Sequence, residues 1–258
     1  MKKSVKALII ILLIICVAAF VFAGYKLLSK ELEYKASEKE YTNLAEQYVK
    51  TDNVDKKESD EIVLDPEVSP VNVDFDQLLK DYPDIVGWLY SPDTVINYPV
   101  CQYDDNAYYL NRLPNGNYNS GGTLFVDCLN QHNFTDPNTI IYGHHMNDGS
   151  MFAKLIDYSY QEYYDEHPVM YLNTPKYNYR IELFAGYVTS ADALDTTYKI
   201  SFYDDDDFTN VMNTLKGQSK FTCDVEPKPG DKILTLSTCT YEYDNARFVV
   251  QGRMVAIH

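Results

Sequence analysis

Two residues in one short stretch can carry nucleophilic chemistry together. The apolar runs 233–236 (Ile233, Leu234, Leu236 about Thr235) and 248–250 (Phe248, Val249, Val250) flank a polar segment rich in Ser, Thr, Asp and Asn. That pattern predicts two strands joined by a short connection. Cys239 falls where the first strand ends and Arg247 where the second begins. If the strands pair antiparallel, thiol and guanidinium lie at the same end of the sheet. A thiolate beside a fixed cation is a stabilised nucleophile. An arbitrary free cysteine is more often a small buried side chain. Here the setting is polar, Ser237-Thr238-Cys239-Thr240, which favours the reactive reading.

Such a nucleophile needs an acid and base, and histidine is the usual one. His144 and His145 follow Gly143 just beyond the apolar run Ile140-Ile141-Tyr142. Adjacent residues leaving a strand point to different sides, so one histidine of the pair is expected to serve the thiol as acid and base. No third histidine or carboxylate stands at ligand spacing, so the pair is not read as a zinc site. His132, His167 and His258 read as structural. The run Asp204, Asp205, Asp206, Asp207 looks like a cation loop at first. Acidic residues at a helix N-terminus, capping it and complementing its dipole, account for it better. No metal and no other cofactor is expected.

The elements that must position these groups are mainly strands. Candidates cover 85–90, 96–100, 122–127, 139–142, 169–173, 177–188, 232–237 and 247–257. They are short and are separated by Pro, Gly, Asn and Asp turns, which indicates an all-β barrel or sandwich. A short capped helix is expected at 74–80. Helical insertions are expected at 151–158 and at 205–216, the latter with Phe208, Val211, Met212 and Leu215 on one face. The chain has 258 residues, 45% hydrophobic and 23% charged, enough for one packed domain with extensions. A net charge of −16 argues against binding nucleic acid through its phosphates. The 24 tyrosines suit strands with half-wet faces.

Residues 7–25 carry no charge and follow Lys2, Lys3 and Lys6. As a helix rising ~1.5 Å per residue, such a run is ~28 Å long and crosses a bilayer core. The expected organisation is a cytoplasmic N-terminus 1–6, a single-pass signal anchor 7–25, an extracellular stalk and linker 26–72, and an extracellular domain 73–258. A cleaved signal peptide ending near Ala23 is the rival, although the apolar run is long for one. Sparse apolar positions from Leu32 to Val49 suggest a helical stalk fraying into a linker near 51–60. Cys101, Cys128 and Cys223 are expected to be free thiols rather than a disulfide framework.

Thr235-Leu236-Ser237-Thr238-Cys239, followed by Arg247, resembles the T-L-x-T-C…R signature of the sortases, cysteine transpeptidases of the Gram-positive cell surface. The likeness extends over about 73–258 and is closest to class B. It includes Val86-Gly87-Trp88-Leu89, Ile96-Asn97-Tyr98-Pro99-Val100, Asp105-Asn106-Ala107-Tyr108-Tyr109-Leu110 and the loop Tyr142-Gly143-His144-His145-Met146. Asp65-Pro66 is followed by Glu67 rather than an aromatic residue, unlike the lid of pilin-polymerising class C members. The resemblance implies an eight-stranded β-barrel with N-terminal helices and a helix in the connection before the Cys-bearing strand. It implies His144, Cys239 and an arginine as catalytic residues; because the Cys-to-Arg separation differs among class B members, Arg247 rather than Arg253 is read as that arginine from its place at the start of the strand beside the Cys loop. It implies a substrate groove touched by Asn106, Leu110 and Ser237, with Tyr198 lining it from a later loop.

By the same likeness, the partners are secreted proteins bearing a C-terminal sorting signal and an amine of the cell wall or its lipid-linked precursor. The reaction is cleavage through a thioester acyl-enzyme followed by transfer. Two rivals use the same residues differently. A thiol hydrolase would release the acyl group to water, and a non-enzymatic surface interaction domain would make no use of Cys239 and His144.

Overall fold

The computed structural model describes residues 3–50 and 68–257, and the chain divides into two units, Met1–Glu40 and Tyr41–His258. The expected linker at 51–60 and the Asp65-Pro66-Glu67 triplet lie outside the described residues. The first helix, α1, spans Lys3–Tyr48. Among the described residues it is the one helix long and apolar enough to cross a membrane, with a mean hydropathy of 2.5 in its most apolar window. Its large side chains Leu13, Ile14, Phe20 and Val21 are all exposed. Gly24 does not interrupt it, because an isolated glycine costs a helix only about 1 kcal/mol.

The second unit begins with the last turns of α1, which the sequence reading assigned to the stalk. Tyr41, Leu44 and Tyr48 are buried in the main core. Tyr41 donates its hydroxyl to the Gly122 carbonyl, and Tyr48 donates to Asp81 at 2.6 Å. The folded unit therefore starts well before residue 73. Strands β1 (Val49–Lys50) and β2 (Asn72–Val73) form a small antiparallel pair. Helix α2 (Phe75–Asp81) follows, capped by the Asp74 side chain, which accepts from the Gln77 amide at 3.1 Å.

Eight strands then close a barrel: β3 (Ile85–Tyr90), β4 (Asn97–Cys101), β5 (Leu124–Val126), β6 (Asn138–Tyr142), β7 (Val169–Asn173), β8 (Asn178–Ser190), β9 (Lys232–Cys239) and β10 (Ala246–Ile257). Their order around the barrel is β10-β8-β7-β3-β4-β5-β6-β9, which leaves no free sheet edge. All pairs are antiparallel except β4–β5 and β6–β9. A parallel pair needs a long crossover, and 102–123 supplies one between β4 and β5. The strand expected at 122–127 is therefore only Leu124–Val126, since Gly122 takes a left-handed turn (φ 57°) to leave the crossover. The helix expected at 151–158 is a 3₁₀ helix, Ala153–Ser159, followed by the short α3 (Gln161–Glu166).

Helix α4 (Asp205–Gln218) lies in the connection before β9 and buries Phe208, Val211, Met212 and Leu215. These pack with Ile140, Phe184, Tyr187, Ile233 and Val249 in a second core separate from the main one. Each such buried side chain contributes roughly 1.5–3 kcal/mol. The acidic run opens this helix: Asp204 caps it by accepting from the Asp207 amide at 2.9 Å, and Asp207 holds Lys199 Nζ at 2.7 Å.

Candidate active site

The barrel topology delivers three distant segments to one mouth. Because β6 and β9 are parallel, their C-terminal ends lie at the same end of the barrel. His144 follows the end of β6 and Cys239 ends β9. Because β10 runs antiparallel to β9, its first residues return to that same end, and Arg247 stands directly opposite Cys239 in the register. The ladder continues one step past β6, with the Gly143 amide donating to the Ser237 carbonyl at 3.1 Å. His144 thus leaves the sheet beside the last turn of the Cys-bearing strand.

These residues line one cavity of about 260 Å³, together with Asn106, Leu110, Phe125, Tyr142, Gly143, Ala191, Tyr198, Ser237 and Thr238. Every site residue expected from the sequence is among them. Asn106 and Leu110 come from the β4–β5 crossover, and Ala191 and Tyr198 from the connection after β8. Cys239, Arg247 and His144 are each half-buried. Thr238 and Ser237 are fully buried beside them, so the thiol sits at the floor of a cleft rather than on an open loop.

The histidine is fixed from the crossover. Its Nε2 lies 2.6 Å from the Leu110 carbonyl oxygen. A carbonyl only accepts, so Nε2 carries the proton and Nδ1 is the nitrogen left for proton transfer. The sequence reading made Leu110 a groove side chain. Its backbone has this second role, which no residue type could have announced. His145 leaves on another side: its ring meets Tyr241 edge-on at 5.9 Å, and it does not line the cavity.

Arg247 and Arg253 share β10 but not their surroundings. Arg253 pairs with Ile233 at the other end of β9, donates from Nε to Glu182 at 3.0 Å and lies 3.8 Å from Asp231. Arg247 donates to the Ala246 carbonyl at 3.0 Å, which leaves most of its fork to the cleft. Tyr198 registers this electrostatic setting. Burial pushes its phenol up to about 12, while its hydrogen bond with Ser237 at 2.8 Å and the Arg247 charge pull the other way.

Sequence reasoning missed Tyr142, Phe125 and the buried carboxylate behind them, Asp127. Tyr142 donates its hydroxyl to Asp127 at 2.9 Å, and Asn106 donates its amide to the same oxygen at 3.0 Å. Burial and the Asp127 charge push the Tyr142 phenol far up, so it stays protonated. The immediate neighbourhood of Tyr142 to Gly143-His144 was a usable signal. Nothing in the sequence announces that Asp127, at the end of a three-residue strand, turns inward.

A closed mixed barrel bearing thiol, imidazole and guanidinium at one mouth is the framework of a cysteine transpeptidase. A sortase-domain family model matches residues 89–255. Sortase B of Listeria monocytogenes is 35% identical over 249 residues, 95% of each chain. Two solved sortase B structures, one a substrate complex of the Staphylococcus aureus protein and the other a sortase B complexed with triglycine, are each 33% identical with a TM-score of 0.67. They cover 71% of this chain and 85% and 86% of theirs. The chain belongs to the sortase family, in its class B, and is a cysteine transpeptidase.

Proposed function

We propose that this chain cleaves a C-terminal sorting signal of secreted proteins and transfers the product to an amine of the cell wall or its precursor. The observation that carries the reading is the register that sets Arg247 opposite Cys239 in the cavity His144 also lines. The Cys239 thiolate attacks the scissile carbonyl carbon. Arg247 donates hydrogen bonds to the developing oxyanion or the neighbouring substrate backbone. The C–N bond then breaks as His144 gives a proton to the departing amine, leaving a thioester on Cys239. The acceptor amine attacks the thioester, His144 takes its proton, and the thiolate is regenerated. Asn106, Leu110, Ser237 and Tyr198 line the groove that receives the signal.

The apolar stretch of α1 anchors the protein by a single pass, with Lys2, Lys3 and Lys6 on the cytoplasmic side and the barrel outside. The test uses the full chain in detergent micelles with a library of blocked heptapeptides, with and without triglycine. Triglycine is chosen because a similar sortase B structure is a complex with it. Mass analysis should find Cys239-dependent cleavage, and a triglycine-ligated product should grow at the expense of the hydrolysed one. Cleavage that yields only the hydrolysed product at saturating triglycine would make the protein a hydrolase.

A further inference from the structure

Asp127 is 6% exposed, and its carboxylate oxygens accept from three donors. Its Oδ2 accepts from the Asn106 amide nitrogen at 3.0 Å and from the Tyr142 hydroxyl at 2.9 Å, and its Oδ1 accepts from the Leu129 amide at 2.9 Å. On its other side Asn106 is fixed as well, because its Oδ1 accepts from the Cys128 amide at 2.8 Å. A carboxylate can only accept. Tyr142 must therefore give its one proton to Asp127 and turn its oxygen lone pairs elsewhere. Asn106 must give one amide hydrogen to Asp127, which leaves the other amide hydrogen. Both side chains line the cavity that holds Cys239 and His144.

We infer that Asp127 is a positioning residue that sets the hydrogen-bonding sense of this wall of the groove: a donor from Asn106 and an acceptor from Tyr142. One donor and one acceptor held side by side match the N–H and C=O of an extended peptide backbone, so the wall aligns the sorting signal along its main chain. This rests on the transpeptidase reading, since the groove must receive a peptide. Asp127 itself does not line the cavity and acts through its two partners.

The experiment is a double-mutant cycle on the full-length protein, using the library heptapeptide that wild type cleaves fastest. Asp127→Ala removes the acceptor. Asp127→Asn keeps the shape but leaves one acceptor oxygen for three donors, so its NH2 meets either the Tyr142–Asn106 pair or the Leu129 amide. Losing buried, charge-assisted bonds of this kind costs about tenfold or more in kcat/KM. We expect that loss in both variants, mostly as a raised KM, with the rate of Cys239 alkylation by iodoacetamide within about twofold of wild type. In an Asn106→Ala, Tyr142→Phe background the same Asp127 changes should cost less than about twofold, because their route of action is gone. An equal loss in both backgrounds, or no loss in either, overturns the inference. Asp127→Asn keeps the test open if Asp127→Ala fails to fold. Wild type that cleaves no peptide in the library overturns the transpeptidase reading instead, and this inference with it.

Discussion

Gly143 is the position where a single methyl group tests how the histidine is held. A Cβ built there would sit 2.5 Å from Leu124 Cδ2 and 2.6 Å and 2.8 Å from ring carbons of Phe152. Carbon atoms in contact normally stand about 3.5–4.0 Å apart, so the overlap is about 1 Å. Leu124 and Phe152 are both fully buried and cannot swing into solvent. Overpacking of this kind costs about 1–3 kcal/mol. The stiffer unfolded chain of an alanine offsets about 0.4–1 kcal/mol of it. A net loss of about 1–2 kcal/mol lowers the melting temperature by about 2–8 °C in a domain of this size.

The chemical effect of Gly143→Ala should be larger than the thermal one. The strand ladder holds the Gly143 amide to Ser237, and the Phe152 amide donates to the His144 carbonyl at 3.0 Å. Pushing Phe152 and Leu124 away from residue 143 therefore moves the backbone that carries His144. A displacement near 1 Å costs about 10² in rate. Gly143→Ala should thus remain folded at 25 °C yet lose about 10–100-fold in kcat/KM for peptide cleavage. Gly217→Ala is the control. Gly217 lies in α4 with nothing within 4 Å of a built Cβ, so alanine there should raise the melting temperature slightly, by about 0.5–1 kcal/mol of helix preference. The assays are a circular-dichroism melt and steady-state kinetics on one peptide. If Gly143→Ala melts with wild type and cleaves within twofold of it, the tight packing around residue 143 does not hold the histidine.

Three further outcomes follow from the site. Arg247→Lys keeps the charge and loses the planar fork, and should cost about 10²–10³ in turnover, whereas Arg253→Lys should chiefly lower the melting temperature through Glu182; the reverse ranking of turnover would move the role to Arg253. His144→Ala should abolish transfer while His145→Ala keeps most of it, measured as ligated triglycine product, and an inactive His145→Ala with active His144→Ala would reverse the assignment. Burial holds Tyr198 and Tyr163 at about 12 in the folded protein, above the usual phenol value near 10. Folded values raised above unfolded ones give stability that is fully present below pH ~10 and lost as pH climbs toward ~12. The melting temperature should hold level to about pH 9.5 and then fall, and a level profile to pH 11.5 would count against buried phenols.

Much of the barrel was legible because its strands are short, β-rich and punctuated. Val169–Asn173 and Ile85–Tyr90 were read with their observed bounds. Cys239 and Arg247 were legible as a pair because an antiparallel hairpin fixes register locally. The parallel pairing of β6 with β9 was not, since it joins segments far apart in the chain and leaves no trace in either one. Without it, nothing in the residues places His144 near Cys239, and only the family likeness supplied that link. Tyr41, Leu44 and Tyr48 read as stalk because one buried face on a mostly polar helix has the same spacing either way.

The same topology divides the site into parts held with different firmness. Cys239 and Arg247 sit on strands whose ladders close on both sides, so barrel hydrogen bonds set their separation. His144 sits just past its strand, and its ring is held by the Leu110 carbonyl on the β4–β5 crossover. That crossover also carries Asn106, which Asp127 ties to the end of β5. On the proposed reading, peptide contacts at Asn106 act on the same segment that orients the imidazole. In the proposed mechanism the nucleophile and guanidinium are set by the fold, while the acid and base is set by the wall of the groove. Changes in that wall should accordingly alter which peptides are cleaved and how well His144 transfers its proton, and should leave the thiol's own reactivity in place.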